Sequence, residues 1–450
     1  MVCPARLAAR RAEPYPNASK PRLRPQPQPQ WRRRNTGGVS EPAQTVAPPE
    51  DIGPVGGALP EPVDEAERRT TSVELLWDLV FVFAVTQVTT LLTADLSWAG
   101  FGRSMLILAL IWWAWSAFVW AANAQTTGSW TLRICLLVAT VFIFIAGLAV
   151  PRAFGSNGTL FACTYAAVRF LHLALYADAS RKGNASWSAI AGFALTVVIG
   201  MALLIAGSFA GDGARIALWV VAVAIDYAGP AWLTRERLRG LQRVAVAHFA
   251  ERYSLFLMIC LGESIVAIGV AARPGAGPHG GGHPLDAEVV VAVALGLLIT
   301  IGMWWTYFDR FAPDAERRLR EHADPVLAAA DAYSYLHLLI VAGIITFAVG
   351  VKVLARGAIG SPLAAAPRLA LCGGVALYLL GNAAFRMRMA GEPGYEKLIV
   401  AAAAIVLFAI GGGWAAWVLA AVLTLLLAGL CAAETLPALR PARSHRGRSD

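Results

Sequence analysis

The sequence predicts an all-α fold, a polytopic transmembrane bundle of about twelve helices arranged as two six-helix repeats of like orientation. Three observations carry that prediction. Apolar residues make up 57% of the 450 and charged residues only 15%, with a mean hydropathy of +0.57, well outside the range of soluble globular chains. Apolar stretches recur at lengths that can cross a bilayer core of about 30 Å, which takes about 20 helical residues. Basic residues gather in alternate connections, as topology demands of a chain that crosses repeatedly.

The stretches run over residues 73–92, 102–122, 131–150, 159–179, 186–207, 214–233, 248–271, 286–307, 328–351, 367–387, 395–412 and 414–433. The first begins behind Thr70, Thr71 and Ser72, any of which suits an N-cap, and carries Glu74 in its first turn. The second holds Trp112, Trp113, Trp115 and Trp120, residue types that pack or form an interfacial belt. The fourth sets Tyr165, Arg169, His172 and Tyr176 on one stripe through spacings of four, three and four. The sixth meets Gly229-Pro230, where a lost backbone hydrogen bond should bend it just after Asp226. Only Gly411-Gly412-Gly413 separates the last two, so the membrane domain is taken as 71–435.

The formal charge of +9 reads as topology. Even-numbered connections carry Arg181 and Lys182, Arg235 to Arg243, Arg310, Arg317, Arg318 and Arg320, then Arg386, Arg388 and Lys397; odd-numbered ones carry fewer. The positive-inside bias then places both termini in the cytoplasm. Residues 1–70 are rich in Pro, Gln and Arg and lack any apolar run, so a disordered cytoplasmic tail without a signal peptide is expected. Residues 436–450 form a second basic tail. The lipid bilayer is the expected partner. Nucleic acid is not, since no basic folded domain stands outside the membrane segment.

Ionisable residues inside such spans are costly and point to function. Glu74 and Asp78 lie four apart on one helical face, Asp78 about 6 Å further along the helix. Glu74 suits either a helix-start carboxylate at the membrane interface or a member of a buried pair, and Asp78 a buried pair with Arg or His. The fourth helix offers the expected partner: Arg169 to hold a carboxylate and His172 to relay a proton, or a static interhelical pair. Glu251 and Arg252 open the seventh stretch, and Glu263 falls near its middle beside Gly262 and Ser264. His337 and Asp331 stand six residues apart and so on different faces of the ninth.

An internal repeat is also legible. Trp112-Trp113 has a counterpart in Trp304-Trp305, and Val73-Glu74 in Ala250-Glu251, with the offset changed by an insertion such as the Gly-rich segment 274–284. Six helices separate the copies, so both halves share one orientation, and substrate sites of such transporters lie between the halves.

Five segments, in order, resemble the bacterial low-temperature-requirement A membrane proteins: Glu74-Leu75-Leu76-Trp77-Asp78 with the residues following it, Arg169-Phe170-Leu171-His172, Glu251-Arg252 with Gly262-Glu263-Ser264, Trp304-Trp305-Thr306-Tyr307-Phe308-Asp309-Arg310, and Tyr333-Ser334-Tyr335-Leu336-His337. The resemblance spans about residues 70–435. Trp77 stands where that family more often has Phe or Tyr, and the long N-terminal tail lies outside its pattern. The family takes its name from a cold-growth phenotype, so the resemblance implies a membrane protein and names no activity.

No phosphate loop, His-Glu-x-x-His pair or nucleophile elbow is found, and six scattered cysteines show no metal-ligand spacing. No enzyme, cofactor or metal is expected. The sequence points first to a secondary transporter or permease for a small solute or ion, with the proton a candidate coupling ion, and second to a non-transporting membrane protein that supports envelope or lipid function in the cold. Glu74, Asp78, Arg169, His172, Glu251, Arg252, Glu263 and His337 form the expected intramembrane polar site.

Overall fold

A computed structural model describes residues 70–124, 129–181, 187–230, 245–272, 287–357 and 359–439. The N-terminal tail, the basic connection 231–244, the Gly-rich insertion and residues 440–450 lie outside the described residues. The described residues are helical, joined by turns, with no strand. The helices are α1 Ser72–Ala94, α2 Trp98–Ala124, α3 Trp130–Ala149, α4 Gly158–Arg181, α5 Trp187–Ser208, α6 Asp212–Ala228, α7 Val246–Ala271, α8 Ala287–Phe308 and the short α9 Phe311–Glu321. They continue with α10 Pro325–Arg356, α11 Ala365–Ala390, α12 Tyr395–Ile410 and α13 Ala416–Leu439. Among the described residues eleven of these are long and apolar enough to cross a membrane. The remaining expected stretch is α6, which spans 17 residues and runs into a π-type turn at Gly229 and Pro230, where the bend was expected.

Local chemistry explains the ends. Thr71 caps α1 through a capping box with Glu74: its hydroxyl accepts from the Glu74 amide, and the Glu74 carboxylate accepts from the Thr71 amide at 2.8 Å. Asp324 caps α10 by accepting from the Leu327 amide, with Pro325 in the first turn. The α9 helix was not among the expected stretches, and its pattern differs from theirs. It buries Phe311, Ala315 and Leu319, spaced by four, and turns its charged residues away.

α10 departs from the expected plain span. A π-helical segment, Ala330–Leu336, interrupts it, and the amide of His337 reaches back to the Ala332 carbonyl. Such segments distort the regular backbone ladder and recur at functional sites.

The two halves pack alike. In the first, α1 lies on α2 and α3, α3 on α4, α4 on α5, α5 on α6, and α6 returns to α2. In the second, α7 lies on α8 and α10, α10 on α11, α11 on α12, α12 on α13, and α13 returns to α8. Equivalent bonds mark equivalent places. The Tyr165 hydroxyl of α4 donates to the Leu110 carbonyl of α2 at 2.9 Å, and the Tyr378 hydroxyl of α11 donates to the Met303 carbonyl of α8 at 2.6 Å. Trp113 stacks on Tyr227 of α6, while its counterpart Trp305 donates to Thr435 of α13.

The halves meet where α1 and α2 lie against α7 and α10. Large apolar side chains such as Leu79, Val141, Leu195, Ile399 and Leu425 cover the outer faces, as contact with lipid tails requires. Between α10 and α11 the backbones nearly touch: a Cβ at Gly343 would lie 2.3 Å from the Tyr378 amide nitrogen, and one at Gly374 would lie 2.4 Å from that of Phe347. Small residues permit such close crossings in apolar surroundings.

Candidate functional site

The seam between α1 and α7 collects most of the ionisable residues expected from sequence. The two helices run parallel along it. Thr70 donates to Glu251 at 2.9 Å near their starts, Arg252 meets Asp78 a turn further along, and Thr86 donates to Glu263 at 2.5 Å in the next stretch.

Arg252 is the centre of the charged part. Its Nη2 donates to Asp78 Oδ1 at 2.6 Å and its Nε to Asp78 Oδ2 at 3.1 Å, a two-point grip that guanidinium geometry favours. Its Nη1 lies 3.2 Å from Glu74 Oε1. His248, one helical turn before Arg252, brings Nε2 to 3.4 Å from the same carboxylate oxygen. Trp115 of α2 completes the Asp78 shell by donating Nε1 to Oδ1 at 2.8 Å. Glu74, Asp78, Arg252 and His248 are all buried. Isolated charges would be costly there, and the opposed pairing offsets that cost.

These contacts change the expected partnership. Asp78 takes its arginine from α7; Arg169 of α4 instead donates Nη2 to Asp226 of α6 at 2.7 Å, within the first half. The reason is packing: α4 lies against α3, α5 and α2, whereas α1 lies against α7. Arg169 Nε and Nη1 find no acceptor among the described residues. His172 is buried between the rings of Phe118, Tyr176 and Phe193 on the same stripe. Glu74 serves both roles considered for it, helix cap and ion-pair member, and its side chain is buried. Glu251 stays exposed at the edge of the seam. Lys397, read from sequence as a connection charge, is buried, with Nζ 3.2 Å from Glu434 and donating to the Thr306 carbonyl at 3.1 Å.

A second layer, of hydroxyls and rings, adjoins the charges through Trp115, whose ring lies against Trp112 and Tyr253. Its hub is Ser334 in the π segment of α10. The Ser334 hydroxyl accepts from Trp120 Nε1 at 2.7 Å and lies 3.1 Å from both Ser116 Oγ and Tyr253 OH. Its carbonyl accepts from Trp112 Nε1 at 2.6 Å. The π geometry explains that last bond, because an interrupted ladder leaves a carbonyl for a side chain to use. His337 follows, stacked on Tyr333 and with Nε2 2.8 Å from the Tyr307 hydroxyl. Asp331, as its spacing predicted, faces elsewhere and accepts from Arg388.

Five of the eight expected residues, Glu74, Asp78, Glu251, Arg252 and Glu263, therefore lie along one seam. His337 stands one ring beyond it, and Arg169 and His172 belong to the first half alone. Sequence reading overlooked His248, Trp115 and Ser334. A histidine four residues before Arg252 shares its helical face, which was the available signal for His248. Among the described residues no group of three or more His, Cys, Asp or Glu side chains is placed to hold a metal ion.

Comparison with known proteins gives the family and one relative. The chain is 30% identical over 290 residues to an uncharacterised protein of Rhizobium meliloti (strain 1021), covering 63% of this chain and 69% of that one. No solved structure matches. A family model described as bacterial low temperature requirement A protein matches residues 69–432, which takes in both halves of the bundle and every residue of the seam. The chain belongs to the bacterial low temperature requirement A protein family.

Proposed function

We propose that this protein is a secondary transporter or permease for a small solute or ion, with the proton a candidate coupling ion. The observation that carries the reading is the burial of Glu74, Asp78, His248 and Arg252 where two like-oriented halves meet. Parallel-repeat transporters work by rocking one half against the other around a site at their junction. An ion-pair network there can exchange partners as the halves move. Glu263 against Thr86 extends the path along the same seam, and Arg169, with two nitrogens lacking an acceptor among the described residues, is the candidate solute ligand in the first half, beside His172. The Arg-rich even-numbered connections support a cytoplasmic location for both termini.

Flux into proteoliposomes tests this, normalised to folded protein. Asp78→Asn and Glu263→Gln should each abolish uptake, and normal transport by both would remove these residues from the mechanism. Glu263→Gln is the cleaner variant, because its amide oxygen still accepts from Thr86.

One observation favours a second reading, a non-transporting protein that supports envelope or lipid function at low temperature. Both Asp78 oxygens are fully engaged by Arg252 and Trp115, as in a static clamp. On this reading no ion, amino acid, sugar or nucleotide raises the melting temperature of the purified protein. A ligand-dependent rise would argue against it.

A further inference from the structure

A cavity of about 220 Å³ opens between the end of α8, the helix α9, the end of α11 and the neighbouring parts of α12 and α13. None of the residues of the α1–α7 seam lines it. We propose that it is a binding site for an anionic phosphate group, borne by a lipid headgroup or free in solution, with Arg310 and Arg318 as its ligands.

Charge is the first argument. Four cations, Arg310, Arg318, Arg386 and Lys397, face the cavity together with three carboxylates. The carboxylates are already engaged: Glu396 by Arg386 at 2.8 Å, Glu434 by Lys397 at 3.2 Å, and Asp314 by Arg317 on the outer side. Arg310 has only a loose contact to its own neighbour Asp309 at 3.9 Å, and Arg318 makes no ion pair among the described residues. Two guanidinium groups are thus left to the cavity, Arg310 at the N-cap of α9 and Arg318 in its third turn. Guanidinium donors in a planar fork match phosphate oxygens two at a time.

Shape and place are the second argument. The volume is below the range of about 300 to 1,000 Å³ usual for drug-sized ligands, and suits a compact headgroup. Phe311 and Phe385 supply an apolar wall, and Lys397 Nζ lies 5.3 Å from the Phe311 ring. α9 is amphipathic, with Phe311, Ala315 and Leu319 buried and charged residues between them, directly after a span of the bundle. That is the construction of a helix lying in a membrane interface, where anionic lipid attracts basic segments.

The experiment is native mass spectrometry of the full chain in detergent with added phosphatidylglycerol, phosphatidylcholine or inorganic phosphate. Wild type should retain phosphatidylglycerol or inorganic phosphate and not phosphatidylcholine. Retention of the lipid alone identifies a headgroup site, and competition by inorganic phosphate a free-anion site; either supports the proposal. The double variant Arg310→Gln with Arg318→Gln should lose the adduct by at least about tenfold, the equivalent of one charge-assisted hydrogen bond. The control Arg320→Gln removes a charge of the same helix that lies outside the cavity, where it pairs with Glu316, and should bind as wild type. Equal loss in the double variant and this control, or equal retention of phosphatidylcholine, overturns the proposal. Should the double variant fail to fold, wild type at rising salt decides: phosphatidylglycerol retention that does not fall with ionic strength also overturns it.

Discussion

Asp78→Asn measures how much of the fold rests on the charged seam. The carboxylate accepts three short bonds, at 2.6 and 3.1 Å from Arg252 and at 2.8 Å from Trp115. Asparagine keeps one acceptor oxygen, but its amide group would face the Arg252 Nε donor. Removing one member of a buried pair costs about 3 to 5 kcal/mol, because the other charge is left without compensation. Glu74 Oε1 remains 3.2 Å from Arg252 Nη1 as a second counter-charge, so the lower end, about 3 kcal/mol, is expected. Arg252→Gln should be at least as damaging, since it strands two carboxylates. The double variant leaves a neutral pair, and the two effects should fall short of additivity by about 2 kcal/mol. Denaturant unfolding in detergent micelles reads all three, with fluorescence from the 15 tryptophans as the signal. Asp78→Asn within about 0.5 kcal/mol of wild type, or strict additivity, would refute the pairing as an energetic unit.

Other substitutions test the packing. Gly343→Ala and Gly374→Ala drive a methyl group into the facing backbone and should each destabilise by about 1 to 3 kcal/mol, whereas Gly429→Ala, which meets nothing within 4 Å, should stay within about 0.5 kcal/mol of wild type in the same unfolding measurement. Tyr165→Phe removes the tyrosine donor of the buried Leu110 carbonyl and should lose about 1 to 3 kcal/mol in chemical unfolding, and Tyr378→Phe should lose less, because the Met303 carbonyl still accepts from Thr306 at 2.9 Å; an equal or larger loss for Tyr378→Phe would count against that reasoning. Ser334→Ala removes the acceptor of Trp120 and the neighbour of Ser116 and Tyr253, and should shift the tryptophan emission as well as lower stability by about 1 to 2 kcal/mol.

Much of the fold was legible because the membrane imposes it. A backbone without water must satisfy its own hydrogen bonds, so an apolar run of about 20 residues has little choice but helix. Each of the twelve expected stretches matches a helix to within a few residues at most ends. The exceptions are informative. α10 begins earlier than hydropathy indicated and contains the π segment, because Asp324 and Pro325 set its start and tertiary bonds to Ser334 favour the bulge. α9 escaped notice because an 11-residue amphipathic helix carries its signal in the contrast between its faces and lacks an apolar run.

Sequence by itself determined that ionisable residues would be buried, and on which faces of their own helices, because a spacing of four fixes relative direction on a helix. It could not assign partners. Asp78 met Arg252 and not Arg169, and Asp226 took Arg169, because α7 lies on α1 while α6 lies within reach of α4. Helical periodicity is a one-chain property, known to within a turn. The choice of which charged face meets which is made by the contacts among all the helices together, and only the tertiary structure decides it.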